Sequence, residues 1–336
     1  MSGKLNVGII GLGRLGKLYA SYFLGRITNA RLVAVSDSLD DVAESFAREH
    51  GIPKSFKNYQ ELISDGNVDA VVIVTPTSTH KDISVEAANS GKAVFCEKPL
   101  SISMDESIAI RDAVERTGIM FHLGFMRRFD RGYAAAKKKI DEGAIGTPIV
   151  FKSSSRDPFR PSLEYLDPKH SGGLLIDCGI HDIDVARWIM GEVSSVYAIG
   201  DVLAYPEVKE INDVDNAIAT LKFESGALGE IDLSRSGIYG YDIRTEILGT
   251  KGTLKIGYLR ETPLMVLTEN NVSHDTVPYF MERFGEAYVT QLQDFIDHLL
   301  EEKAPSITCH DGIAALRISL AATRSLHEGR PVSMNS

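Results

Sequence analysis

The stretch "LNVGIIGLGRLG", Leu5 to Gly16, decides the fold. Leu5 to Ile10 form a short run rich in Val and Ile and read as a buried strand. Gly11, Gly13 and Gly16 follow at once and open a helical stretch, Arg14 to Arg26, with Leu12, Arg14 and Leu15 filling the loop between them. In a strand–turn–helix of this kind Gly11 permits the tight turn, Gly13 lets a pyrophosphate approach the backbone, and Gly16 lets the helix lie close to the sheet. The helix N-terminus then offers its N–H groups to the phosphates. Asp37 ends the next strand-like run, 21 residues beyond Gly16, where a carboxylate accepts bonds from a ribose diol. A lone GxGxxG is weak; strand, glycines, helix and acid in order point to a dinucleotide. Asp37 favours NAD, because its charge repels the extra phosphate of NADP. Arg14, Ser36 and Ser38 keep NADP as second choice.

The same alternation continues outward from this stretch. "RLVAVS" (31–36), "DAVVIV" (69–74), "AVFCE" (93–97) and "MFHLG" (120–124) read as further strands. Helical patterns lie at Asp40 to His50, Lys81 to Asn89 and Met104 to Arg116. Asp37, Ser38 and Thr79 offer cap-like side chains, and Gly51, Gly91 and Gly118 stand at helix ends. Continuous apolar strands alternating with helices predict a parallel sheet covered on both faces. Ligands of such sheets sit beyond the carboxyl ends of the strands. Thr75, Pro76 and His80 in "TPTSTH", and Glu97 and Lys98 in "EKP", are therefore placed toward a cofactor. Thr79 as a plain helix cap and Lys98 as a surface lysine fit these stretches too.

Past about residue 124 the texture changes. Helical patterns at 130–142 and 173–190 precede alternating strands at 216–223, 227–234, 243–248 and 252–256, with turn signals "ESG" (224–226) and "GTKG" (249–252). Helices at about 282–302 and 311–328 finish the chain. These patterns predict a parallel α/β domain over 1–124 and an α+β domain over 125–336, whose sheet is largely antiparallel with one wet face. No Pro/Gly/Ser-rich linker separates them, so tight packing is expected.

Within "GGLLIDCGIHDIDVARW" (172–188), Asp177, His181 and Asp184 recur at i, i+4 and i+7, one face of a helix. A nicotinamide cofactor supplies the hydride chemistry. The protein must then orient an alcohol carbon and take the hydroxyl proton, a task suited to a histidine. Asp177 is placed to orient His181 or stabilise its imidazolium, Asp184 to accept from a substrate, and Lys98 to donate to the reacting oxygen. Acids decorating a helix start, with an incidental histidine, and a metal site of Asp177, His181 and Asp184 are the competing explanations. No HExxH or Cys/His cluster favours the metal.

Composition narrows the field. A length of 336 residues favours two domains, and 43% hydrophobic content is ordinary for a globular protein. The formal charge of −10 argues against a nucleic-acid partner, and Lys137-Lys138-Lys139, followed by Asp141 and Glu142, reads as a solvated helix side. The three cysteines match no CxxC pattern, which suits a reducing compartment. The longest apolar run, Ala70 to Val74, is too short to cross a bilayer. Met1, Ser2 and Gly3 show no signal segment. A soluble, cytoplasmic protein without a membrane partner is expected.

Taken together, "GLGRLG", "EKP" and "GGLLIDCGIHDIDVARW" resemble the glucose-fructose oxidoreductase/inositol dehydrogenase/MocA family. "GFMRRFD" (124–130) and "GYDIRTEILGTKG" (240–252) bring the chain nearer to its inositol dehydrogenases. The resemblance implies an N-terminal Rossmann domain, a doubly wound parallel sheet, and a C-terminal α+β domain with a large open sheet that commonly forms dimer and tetramer interfaces. It implies Lys98, Asp177 and His181 as a catalytic trio, with NAD as cofactor and a cyclitol or sugar as substrate. Met126, Arg127, Asp177, His181 and Asp184 are then polyol contacts, with Arg156, Asp157, Tyr241 and Tyr288 as further candidates. An interdomain salt bridge for Arg127, strand polarity for Arg156 and Asp157, and aromatic packing for Tyr288 remain open beside these roles. Trp188 reads as core. The expected reaction is oxidation of a ring hydroxyl of myo- or scyllo-inositol to the ketone. An aldose or anhydrosugar dehydrogenase and a non-catalytic NAD sensor are the alternatives.

Overall fold

A computed structural model describes residues 4–334. Met1 to Gly3, where the absence of a signal segment was read, and the last two residues lie outside it. The chain divides into two compact units. One comprises the chain up to Met126 together with Tyr288–Ala314; the other comprises Arg127–Ala287 and the chain from Ala315.

The first unit alternates strand and helix: β1 (Leu5–Ile10), α1 (Arg14–Gly25), β2 (Ala30–Ser36), α2 (Val42–His50), β3 (Lys54–Phe56), α3 (Tyr59–Ser64), β4 (Ala70–Ile73), α4 (His80–Asn89), β5 (Ala93–Glu97), α5 (Met104–Thr117) and β6 (Phe121–Gly124). The six strands run parallel in the order β3-β2-β1-β4-β5-β6. Val7, Ile9, Val71, Val72, Val94 and Phe95 are all buried, so the central strands are apolar on both faces, as a helix-covered sheet requires. Strand order reverses between β1 and β4, the switch point beyond which such sheets bind ligands. β3 and α3 are too short to carry a periodic signal, and the sequence pattern did not predict them.

The predicted caps are corrected. α2 starts from Asp41, in a left-handed conformation without a side-chain cap bond. Thr79 precedes α4, but its hydroxyl donates to Pro76 O at 2.8 Å and pairs with Thr75 Oγ1 at 2.7 Å instead of capping.

Tyr288–Ala314 belongs with this unit through its apolar side chains. The Phe295 ring lies 5.9 Å from Phe95 and 6.2 Å from His122, and Leu123 N–H donates to Ile307 O at 3.1 Å. The division thus departs from a contiguous one at 124/125. A change of texture marks only where the chain leaves the first unit, and the return is made by an amphipathic helix of ordinary composition.

The second unit holds α6 (Arg131–Asp141), β7 (Pro148–Arg156), α7 (Leu163–Leu166), α8 (Pro168–Ser171), α9 (Leu174–Asp177), α10 (Gly179–Met190), β8 (Val193–Asp201), β9 (Asn216–Phe223), β10 (Leu228–Ser234), β11 (Asp242–Gly249), β12 (Thr253–Ile256), and the short pair β13 (Val266–Leu267) and β14 (Val272–Ser273). Helices α11 (Phe280–Leu300) and α12 (Cys309–Glu328) each span the division between units, and β15 (Val332–Ser333) ends the described chain. Its sheet runs β12-β11-β7-β10-β9-β8-β15. β7 pairs parallel with β10 and every other pairing is antiparallel, so the sheet is mixed and mostly antiparallel. β9 alternates buried and exposed residues along its length, matching its sequence pattern.

β7 and β8 escaped the pattern for different reasons. The inward residues of β7 include Ser153 and Ser155, so its buried side is polar. A register shift between Val193 and Ser195 breaks the alternation of β8. The helix expected over 173–190 is interrupted at Cys178, and α10 continues from there onto β7 and β10. Among the described residues, no helix is long and apolar enough to cross a membrane.

Candidate functional site

In the first unit the glycine loop divides its labour by steric space. Gly11 has φ +95°, and a Cβ there would lie 2.5 Å from Val74 O. A Cβ on Gly16 would lie 2.0 Å from Gly11 O, so neither position admits a side chain. A Cβ on Gly13 would meet nothing within 4 Å, which leaves its backbone open to an approaching phosphate. α1 begins from Gly13 with no side-chain cap bond and no acid in its first turn. Asp37 ties the loop down: Leu12 N–H donates to its Oδ2 at 2.8 Å and Leu39 N–H to its Oδ1 at 3.0 Å. Each oxygen keeps capacity for a further donor. Leu12 is buried, Leu15 half-buried, and Arg14 and Ser38 are exposed. These residues fit a dinucleotide.

Behind the strand ends the predicted contacts sort into surface and strut. Pro76 is exposed, and Thr75 and Lys98 are half-buried. His80, expected at the cofactor, acts within the protein as a strut. It is fully buried, with Nδ1 2.9 Å from Pro99 O and Nε2 3.0 Å from Thr75 O, so it fastens the end of β4 to that of β5. Burial pushes its pKa below the usual histidine range. Glu97 is buried too, and burial raises its carboxyl above the usual range. Tyr19 OH donates to Glu97, Gln291 Nε2 donates to Tyr19 OH at 2.7 Å, and Glu97 Oε2 accepts Lys98 N–H at 3.1 Å. Glu97 therefore anchors the backbone of Lys98. Met126 is buried. Tyr288 is buried with its ring 5.8 Å from Tyr19, the packing role left open for it.

In the second unit Asp177 ends α9 and His181 lies in the first turn of α10, with Cys178 between the two helices. Asp177 is held from two sides: Arg235 Nη2 donates to Oδ2 at 2.9 Å and Tyr165 OH to Oδ1 at 3.3 Å. Arg235, 1% exposed, also reaches Asp157 Oδ2 at 3.4 Å, where Cys178 Sγ lies 3.5 Å away. Burial, reinforced by Asp177, pushes the Asp157 carboxyl above its ordinary range, while Arg235 opposes that rise. His181 is half-buried.

The remainder of the stripe is held in buried ion pairs. Asp184 is 1% exposed, and both its oxygens accept from Arg128, Oδ2 from Nε at 2.9 Å and Oδ1 from Nη2. The pair fixes the orientation of that carboxylate, and each oxygen keeps capacity for a further donor. Arg127 is 3% exposed and donates to Asp182 Oδ1 at 2.7 Å and Ser155 Oγ at 2.9 Å. Its salt bridge is thus internal to the second unit, not interdomain. Asp182 is fully buried and also accepts from Ser153 and from Ser155, the latter at 2.7 Å. Arg156 pairs with Asp232 and donates to Tyr239 OH at 3.1 Å. Tyr241 is buried against the rings of Tyr279 and Phe284.

Sequence inspection missed Asp182, Arg128, Arg235, Tyr165, Tyr19 and Gln291. Arg128 and Asp182 were in plain view, in "MRRFD" and "IHDID", where a buried pair of opposite charges was the available signal. Arg235, in "LSRSG" at a strand end, carried no signal of its own. Among the described residues, no group of three or more His, Cys, Asp or Glu is arranged to hold a metal ion.

Comparison with known proteins gives the family of the chain. Residues 5–125 match the family described as "Oxidoreductase family, NAD-binding Rossmann fold", and residues 137–334 match its "C-terminal alpha/beta domain". The chain is 43% identical over 336 residues to a scyllo-inositol 2-dehydrogenase (NAD(+)) of Bacillus subtilis, covering 100% of this chain and 98% of that one. It is 39% identical over 332 residues to a myo-inositol 2-dehydrogenase of Thermotoga maritima, covering 98% of each. The crystal structure of scyllo-inositol dehydrogenase from Lactobacillus casei with bound NAD(H) and scyllo-inositol superposes with a TM-score of 0.93 at 32% identity, over 99% of this chain and 100% of that one.

Proposed function

Because this chain belongs to the glucose-fructose oxidoreductase/inositol dehydrogenase/MocA family of NAD-dependent oxidoreductases, we propose that it oxidises a ring hydroxyl of myo- or scyllo-inositol to the ketone. The observation that carries the proposal is the fixed Asp177 carboxylate, held by Arg235 and Tyr165, one helical turn before His181. An imidazole beside a held carboxylate is suited to take a hydroxyl proton near neutral pH.

The glycine loop and Asp37 would hold NAD, which accepts the hydride when bound. His181 takes the hydroxyl proton as the carbonyl forms, and Asp177 stabilises the resulting imidazolium. Lys98, with its backbone anchored by Glu97, donates to the reacting oxygen and opposes build-up of charge there. Asp157 accepts from a neighbouring hydroxyl. A carboxylate left short of that donor penalises a substrate lacking the hydroxyl, which favours a polyol over a simple alcohol. Arg127 and Asp184, held in buried pairs, are fixed in orientation for their expected contacts with the polyol.

The test is formation of the reduced cofactor, followed by its absorbance, with a panel of inositol stereoisomers, aldoses and anhydrosugars, each with NAD and NADP. Turnover is expected with NAD and a cyclitol. Turnover of an aldose alone would move the assignment to a sugar dehydrogenase. NAD binding with silence across the panel would leave a cofactor sensor.

A further inference from the structure

Arg235 belongs to none of the roles assigned above beyond its contact with Asp177, yet it is among the largest fully buried side chains of the protein. It follows directly on β10, and its backbone N–H donates to Asp215 O at 3.0 Å. Asp215 is clamped in turn by the backbone N–H groups of Leu203, Ala204 and Tyr205 at 2.6–2.8 Å. The guanidinium therefore hangs from a rigid point and forks between two carboxylates that come from different elements, Asp177 at 2.9 Å and Asp157 at 3.4 Å.

We propose that Arg235 is a positioning residue: it holds Asp177 ionised and in one orientation, and through Asp177 it sets the pH range over which His181 exchanges its proton. This rests on the functional reading above for its catalytic consequence. Its electrostatic content stands on the contacts themselves.

A guanidinium stays protonated throughout the working range of a protein, so the positive charge beside Asp177 is constant. A buried carboxylate stripped of that charge would either take up a proton or draw one more strongly onto its neighbour. Asp177 and His181 then titrate as a pair. Removing a unit positive charge raises the proton affinity of the pair wherever the proton resides. Asp157 and Asp213 are acids of the opposite sign. Tyr165 and Cys178 are neutral donors, and Arg127 is committed to Asp182. Loss of Arg235 should therefore delay deprotonation of His181 and shift the acid limb of alcohol oxidation to higher pH.

The experiment follows the imidazole of His181 by NMR in NAD-saturated protein carrying ¹³C-labelled histidine, with the signal assigned from His181→Gln. Wild type, Arg235→Gln and Arg235→Lys are compared. In Arg235→Gln the midpoint should rise by about one pH unit, the lower end of the effect of a close opposite charge on a carboxylate. In Arg235→Lys, which keeps the charge, it should stay near wild type. A folded Arg235→Gln with an unmoved midpoint overturns the proposal, whatever its activity. If Arg235→Gln does not fold, Arg235→Lys decides. An ammonium cannot reproduce the fork, so a wild-type midpoint with kcat lowered at least about tenfold supports the proposal, and an unchanged kcat overturns it. A wild-type protein that binds NAD but oxidises no cyclitol would sink the functional reading and leave the comparison of midpoints readable.

Discussion

Residues 5–39 build the proposed cofactor cradle from one stretch of chain, whereas the proposed acid/base end joins Asp157, Asp177 and Arg235 across as many as 78 positions. The first is backbone work: three glycines, a bare helix start and one carboxylate tying the loop. The second is charge work, with two acids around one buried guanidinium and further pairs, Arg127–Asp182 and Arg128–Asp184, below 10% exposure on every side chain. A cradle made of main chain fails when space is taken from it. A site made of buried charge fails when a counter-charge is removed, because the partner left behind stays desolvated.

Substitutions at the two ends should therefore give separable losses. The largest is expected for His181→Ala, which should lower kcat by about 10²–10⁴-fold, the usual contribution of a positioned acid/base, with NAD affinity unchanged by calorimetry. Equal losses in both would make His181 structural. Next comes Asp182→Ala, which strands Arg127 in the interior. Breaking a buried pair from one side costs about 3–5 kcal/mol, measurable by urea denaturation, and a loss below about 1 kcal/mol, the worth of an exposed pair, would show that the pair is hydrated in solution.

The glycines sharpen the contrast within the cradle. Gly16→Ala forces a methyl against Gly11 O and should lower both thermal stability and NAD affinity, with a strain of about 1–3 kcal/mol. Gly13→Ala meets no neighbour and should leave the melting temperature in place while weakening NAD by about tenfold, or 1.4 kcal/mol. Equal melting temperatures for the two variants would refute the steric division of the loop. The smallest effect is expected for Asp37→Ser: NAD weakened by up to about tenfold, again 1.4 kcal/mol, with discrimination against NADP reduced. A uniform loss for both cofactors would mean that fastening Leu12 is the main work of that carboxylate.

The parts legible in sequence were those whose signal is local. Ile9, Gly11, Gly16 and Asp37 sit within one supersecondary unit, where strand run, glycine spacing and strand-end acid each have a fixed meaning. The spacing of Asp177 and His181 was visible for the same reason, since periodicity needs no knowledge of the rest of the chain, but the break at Cys178 between them was not. For Asp184 the same periodicity says which face a side chain is on, not what waits there, and the pairing with Arg128 was invisible to it. β7 went unseen because Ser153 and Ser155 make its inner side polar, a choice that is stable only once Asp182 arrives to accept their hydroxyls.

On its own, the sequence determined an alternating parallel sheet, a glycine loop between its first strand and helix, the strand-end acid Asp37, and the family. Steric and periodic rules operate over a few residues and can be read in order. Only tertiary structure decided that Tyr288–Ala314 packs with the first unit, that Arg127 and Asp184 are held in buried pairs, and that Arg235 stands between Asp157 and Asp177. Desolvated charges find their partners through space, and the distance in sequence between the members of such a pair is set by topology alone.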